Sequence, residues 1–183
     1  MLSADELIKE ISTTLVKKKV AKLTTILQKE QFKLTDLINI TFYPDKNIAF
    51  RAAWILENLF LQKPESYVDS IEYLLLRTKD VTNPSCKRHY AKIFMHITAA
   101  KAPESIKNKL AGIDLEPIVE QLFDWMIDPK VLIAVKVFAA QTLFNIRTRY
   151  PWITEELANQ IQFLMRNGSA AIQSRGKKLL SQL

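Results

Sequence analysis

Glycine is nearly missing from this sequence: the 183 residues hold 3 of them, against about 7% in an ordinary globular protein. They stand too far apart to build a phosphate-cradling loop. Cysteine is scarcer still. Cys86 stands alone, which excludes an intramolecular disulfide and a cysteine-rich zinc site and fits a reducing compartment, the cytoplasm. A long apolar run is also lacking. The most apolar stretch, Val131 to Ile146, has 16 residues and is interrupted by Lys136, short of the roughly 20 that a membrane helix needs. It reads as a buried helix, and no membrane insertion is expected. Asp5 and Glu6 lie where a secretion signal requires basic residues followed by a long apolar stretch. Nucleophile elbows, paired metal-binding histidines and kinase signatures are absent too, which leaves no sequence support for an enzyme.

What is present favours helices. Hydrophobic residues make up 48% and charged residues 25%, too apolar for disorder, and Leu, Ile, Ala, Lys and Glu are plentiful while glycine is rare. The hydrophobic positions spread evenly from Leu7 to Leu180, which predicts a single domain over residues 1–183. Ser3 and Glu6 form a capping-box pattern ahead of Leu7, Ile8, Ile11 and Leu15, predicting a first helix over Ala4–Val16. Val20, Leu23, Ile26 and Leu27 mark a second, and these two helices, within residues 1–33, would cap the N-terminal end. Leu34, Leu37, Ile38 and Phe42 mark a short third helix, ended by Tyr43-Pro44-Asp45.

From there a pattern repeats. Phe50-Arg51 with Trp54, Lys87-Arg88 with Ala91, Val135-Lys136 with Ala139, and Ile172-Gln173 with Gly176 recur with their second residues 37, 48 and 37 positions apart. Self-similarity at such a period is the mark of a helical repeat array. Asp45, Asn83, Asp128 and Asn167 precede the longer, motif-bearing helices as N-caps, with Pro84 and Pro129 at the favoured first helical position. Shorter helices alternate with them and start at Pro64, near Leu115 to Pro117, and at Pro151. The spacing of 48 holds an insertion near residues 99–113, where Pro103 opens and Gly112 closes a short extra helix. In the last helix Ile172, Leu179 and Leu180 point inward as a C-terminal cap.

A helix-turn-helix unit of about 37 residues, with Asp or Asn at the turn, a basic residue early in the second helix and a small residue three further on, resembles the HEAT repeats. The resemblance covers about Leu34 to Leu183, with Trp54 in place of the small residue in the first unit and Gln173 in place of the basic one in the last. It implies an all-α fold, a right-handed α-α superhelix of the HEAT/ARM solenoid kind with about four helix pairs beyond the N-terminal helices. The second helices of such folds usually line the concave side, and protein binding is their commonest role.

Charge sorts by helix. The shorter helices carry Glu65, Asp69, Glu72, Glu116, Glu120, Asp124, Glu155 and Glu156, whereas the longer ones carry Arg51, Lys87, Arg88, Lys92, Lys130, Lys136, Arg147, Arg149, Arg175, Lys177 and Lys178. With a net charge of +7, a basic concave face would draw an acidic protein or peptide. The residues expected to contact it are Arg51, Arg88, Lys92, Lys136, Lys177 and Lys178. An alternative use of Arg51, Arg88 and Lys136 is an internal ladder of ion pairs with turn aspartates, which places Lys92, Lys177 and Lys178 first as contacts.

Nucleic acid is the alternative partner, because basic residues beside aromatics hold phosphates while rings stack on bases. Trp54 near Arg51, and Tyr150 and Trp152 near Arg147 and Arg149, supply that combination. Some HEAT-like proteins are DNA repair glycosylases, for which Asp124 and Asp128 beside Trp125 offer carboxylates, although no motif of that family is present. Lys17, Lys18, Lys19 and Lys22 lie at a helix junction, where they complement the preceding helix dipole. Cys86, His89 and His96 share one helix, with Asp80 the nearest acid; three such groups without a fourth ligand predict packing and not a metal site. No catalytic residue, metal or cofactor is assigned.

Overall fold

The computed structural model describes residues 2–13 and 16–183, and among them the regular structure is eleven α-helices with short 3-10 turns and no strand. Two compact units divide the chain, Met1–Ile93 and Phe94–Leu183.

The first unit begins with α1, Ala4–Ser12, where the capping box forms: Ser3 Oγ accepts from the Glu6 backbone N–H at 3.2 Å, and Glu6 Oε2 accepts from the Ser3 backbone N–H at 2.7 Å. Leu7 and Ile11 are fully buried. The helix stops at Ser12, short of the expected Val16, because side chains take its last carbonyls. Ser12 Oγ donates to the Lys9 carbonyl at 2.7 Å, and Lys19 Nζ to the Glu10 carbonyl at 2.5 Å. That contact realises the dipole complement expected of the lysine cluster. Leu15, expected on the inward face of this helix, lies outside the described residues.

Helix α2, Lys17–Lys29, buries Val20, Leu23, Thr24 and Leu27, while Ile26 is half-buried. Thr24 tolerates burial because its hydroxyl donates to the Val20 carbonyl at 2.9 Å. The helix closes through Gln31 at φ 51°, with the Phe32 N–H returning to the Leu27 carbonyl at 3.0 Å. In a glycine-poor chain a glutamine thus occupies the left-handed cap position that glycine favours. Helix α3, Leu34–Ile40, buries Leu34, Leu37, Ile38 and Ile40, and Phe42 falls beyond its end.

Helix α4, Lys46–Gln62, is the centre of this unit and packs on α1, α2 and α3. Asp45 caps it as expected, Oδ1 accepting from the Asn47 N–H at 2.8 Å and the Ile48 N–H at 3.3 Å. The expected helix at Pro64 is divided into a 3-10 segment, Pro64–Ser70, followed by α5, Ile71–Arg77. Helix α6, Pro84–Ile97, starts behind Asn83, whose Oδ1 accepts from the Ser85 N–H at 3.0 Å, with Pro84 at the first helical position. The boundary between the units falls within its last turn.

In the second unit α7, Glu104–Ala111, is a short helix where one was expected between Pro103 and Gly112, closed at Gly112 and anchored by buried Ile106 and Leu110. Helices α8, Glu116–Ile127, and α9, Ile133–Ile146, pack face to face, and α10, Trp152–Met165, and α11, Ala170–Leu180, pack on α9 and on each other. Two expected helix starts move. Asp128 ends α8, and its Oδ1 accepts from the Lys130 N–H at 2.8 Å. This local turn competes with helix nucleation, so α9 begins at Ile133, not after Asp128, and Lys130 lies in the turn. Helix α11 begins behind Ser169 in place of Asn167. Here the longer helix is also the first of its pair: α10 has 14 residues and α11 has 11.

The small residue of the motif has a packing reason. Ala91, Ala139 and Gly176 are all buried, and a methyl added at Gly176 would lie 2.9 Å from Met165 Cγ and 3.0 Å from Ile161 Cγ2. Close helix approach leaves no room for it. Trp54, the exception, is half-buried and stacks on Phe50 with ring centroids 6.0 Å apart.

Candidate functional site

The basic position of the repeat does a different job in each copy. Arg51 does not meet a turn aspartate; its Nη1 donates to the Ile11 carbonyl at 2.7 Å and the Ser12 carbonyl at 2.9 Å, fastening α4 to the negative end of α1. Arg88 is exposed, and its side chain forms no hydrogen bond or ion pair among the described residues. Lys136 is 8% exposed. Its side chain forms no hydrogen bond or ion pair among the described residues, and burial draws its ammonium below the ordinary value while the charge of Asp128 opposes that shift. At the fourth position Gln173 donates through its amide to the Met165 carbonyl. An ion-pair ladder running through these positions is therefore not formed.

Lys92, expected to stand outside internal pairing, is committed. Its Nζ lies 2.5 Å from Glu57 Oε1, and Glu57 Oε2 accepts from His89 Nδ1 at 2.6 Å. Glu57 is 5% exposed. Burial alone would raise its carboxyl, but the hydrogen bonds and charges of His89 and Lys92 outweigh it and hold the group below its ordinary value. The Phe50 ring tilts against His89 at 5.4 Å, and His89 Nε2 is buried without a hydrogen-bond partner among the described residues. Sequence reasoning passed over Glu57. Its signal was available: an acid between Leu56 and Phe60, where the helical period of α4 calls for an inward residue.

On α11 the exposed side chains of Lys177 and Lys178 form no hydrogen bond or ion pair among the described residues. Arg175, half-buried, donates Nη1 to Gln141 Oε1 at 2.7 Å. The cation and ring pairs considered for nucleic acid are largely occupied. Arg147 lies 3.7 Å over the Phe144 ring and donates to its carbonyl at 2.7 Å. Arg149 donates to the carbonyls of Leu110 and Ile113, and Tyr150 donates to Asp114 Oδ1 at 2.9 Å while accepting from the Leu115 N–H at 3.0 Å. They fasten the end of α7. Trp152 stacks on Phe123 at 5.6 Å yet remains exposed. Trp125 is buried between exposed Asp124 and half-buried Asp128.

Cys86 and His89 turn inward. The thiol donates to the Thr41 carbonyl at 3.7 Å and is pushed up to about 12 by burial, which removes the thiolate needed of a nucleophile. The Asp80 carboxylate is taken by Arg77 Nε at 3.1 Å. Among the described residues no three or more His, Cys, Asp or Glu side chains are grouped to hold a metal ion, and no helix is long and apolar enough to cross a membrane.

Helix packed on helix in both units, with one motif carried by α4, α6, α9 and α11 whose small position is filled by Ala91, Ala139 and Gly176 in three of the four copies, defines a helical-repeat protein. More narrowly, the chain belongs to the HEAT repeat domain family, whose model matches residues 7–183. Neither a curated protein nor a solved structure matches it.

Proposed function

We propose that this chain is a non-enzymatic interaction module that binds an acidic protein segment through cations of its motif-bearing helices. The observation that carries the reading is a sorting of cations: Arg51 and Lys92 are spent on internal contacts, whereas the side chains of Arg88, Lys177 and Lys178 stay exposed without a partner among the described residues. Holding three long basic side chains in water adds nothing to stability. Their charge is available for complementarity with an acidic partner. Fold alone does not fix this role, and the family contributes the architecture on which it rests.

The test uses the full chain and a labelled polyglutamate peptide in an anisotropy titration at low salt. Reversing Arg88, Lys177 and Lys178 together to glutamate is expected to weaken binding by about tenfold or more. Unchanged affinity overturns the reading. Tighter binding of duplex DNA than of polyglutamate, lost steeply as salt is added, would favour the nucleic-acid alternative.

A further inference from the structure

We infer that the exposed sides of α8 and α10 form a docking surface for a basic amphipathic helix of a partner protein, one with a stripe of apolar residues and lysine or arginine on its flanks. The surface is separate from the cations of the proposed function and does not depend on them. Helical spacing defines it. Glu116, Glu120, Phe123 and Ile127 recur along α8 at i, i+4, i+7 and i+11, and Trp152, Glu156, Asn159 and Phe163 recur along α10 at the same intervals. Such spacing puts each set on one side of its helix. Leu122 and Trp125 of α8, and Leu157 and Ile161 of α10, are buried on other sides.

The two rows carry apolar surface and charge of one sign. Ile127, Trp152 and Phe163 are 55, 45 and 61% exposed, and Trp152 stacks on half-buried Phe123 with ring centroids 5.6 Å apart, so the rows meet at their apolar side chains. Phe163 extends the apolar positions three turns beyond Trp152, about 16 Å along the axis. Large apolar side chains gathered on a surface mark a contact site, unlike those scattered singly. The charge runs against the rest of the chain. In a sequence of net charge +7, α8 and α10 contain no basic residue and carry Glu116, Glu120, Asp124, Glu155 and Glu156. None of these acids forms an ion pair among the described residues; Glu156 accepts from the Gln160 amide at 2.9 Å. Arg166, just past the end of α10, lies 5.8 Å from the Phe163 ring centroid, the kind of contact a partner's lysine or arginine can make on Trp152. A helix with leucines on one side meets the rings, while its basic side chains lay their stems over apolar surface and bring their charges to the carboxylates. Acidic segments and nucleic acid are repelled by the same carboxylates.

The experiment titrates the full chain against three labelled peptides of equal length: a helix of leucine and lysine with all leucines on one side, the same composition with leucines dispersed around the helix, and polylysine. The first is expected to bind at least about tenfold more tightly than the others. Trp152→Ala and Phe163→Ser should each weaken it by about tenfold or more. Glu120→Gln, Asp124→Asn and Glu155→Gln together should weaken it by a similar factor and flatten its salt dependence. Equal affinity for all three peptides overturns the inference, because charge alone then accounts for binding. Unchanged affinity in the Trp152 and Phe163 variants overturns it as well.

Folding supplies an independent readout. Ile127→Ser and Phe163→Ser alter side chains that are more than half exposed and should leave the melting temperature nearly unchanged. If Trp152→Ala unfolds the chain through loss of the Phe123 stack, these two variants decide the matter by their peptide affinity. Loss of cooperative melting in them would place the side chains inside the fold and overturn the inference. Polyglutamate binding should be the same in all these variants, so that failure of this surface and failure of the proposed function are told apart. Sedimentation of the chain alone tests the remaining occupant: a concentration-dependent dimer that Phe163→Ser abolishes would put a second copy on the face and overturn its assignment to a basic helix.

Discussion

Glu57 binds two donors with two oxygens inside the first unit, and its position makes a pH signature that a surface carboxylate would not have. Its folded-state pKa lies below the ordinary carboxylate value despite burial, because His89 and Lys92 favour the charged form. A group depressed in this way stabilises the fold above its unfolded pKa, and that contribution is lost as pH falls through the folded one. Glu57→Ala leaves His89 Nδ1 and Lys92 Nζ without their acceptor. It is expected to cost about 3 kcal/mol in urea unfolding at pH 7. Between about pH 5 and pH 3 the wild type should lose stability faster than Glu57→Gln, since the amide has no proton to take up. Parallel pH profiles for the two proteins would show that Glu57 is not held in its charged form by the fold.

Among the elements, α11 has the sharpest test. One of its faces, Ile172, Gly176 and Leu179, is buried, and Gly176 sits close enough to Ile161 and Met165 that even a methyl would crowd them. Ending the chain after Asn167 uncovers the apolar sides of α9 and α10 that α11 packs upon. The truncated protein is expected to aggregate and to lose its cooperative thermal transition, as repeat arrays do when a terminal cap is removed. A soluble truncated chain with a sharp transition would mean that α11 is not a cap. The same helix marks what could be read from sequence. The burial of Ile172 and Leu179 followed from a period of 3.6 residues, as did the short helix α7 between Pro103 and Gly112, because such patterns are local, while Leu180, expected inward, is half-buried. The start of α11 did not. Asp128 and Asn167 resemble N-caps, but one is used in a turn closing α8 and the other stands ahead of Ser169. The functions of the basic residues were hidden for a related reason: Arg51 meets carbonyls 39 and 40 positions away, and Lys92 meets an acid 35 positions away. Partners at such separations are chosen by packing, to which spacing in the chain gives no guide.

For the whole molecule, charge governs the approach of a partner before any contact is made. The sequence carries 26 lysines and arginines against 19 acids, and the excess acts at distances set by the Debye length, about 10 Å in 0.1 M salt and about 3 Å in 1 M. Association and dissociation of an acidic peptide should therefore respond to salt differently. Stopped-flow measurements with the polyglutamate peptide are expected to show the association rate constant falling by about tenfold or more as ionic strength rises from roughly 0.01 to 0.5 M. The dissociation rate constant should change by less than about threefold, since it reflects short-range contacts already made. Reversing Arg88, Lys177 and Lys178 should flatten the salt dependence of association. A salt dependence left unchanged by that reversal would show that these three cations do not steer the peptide.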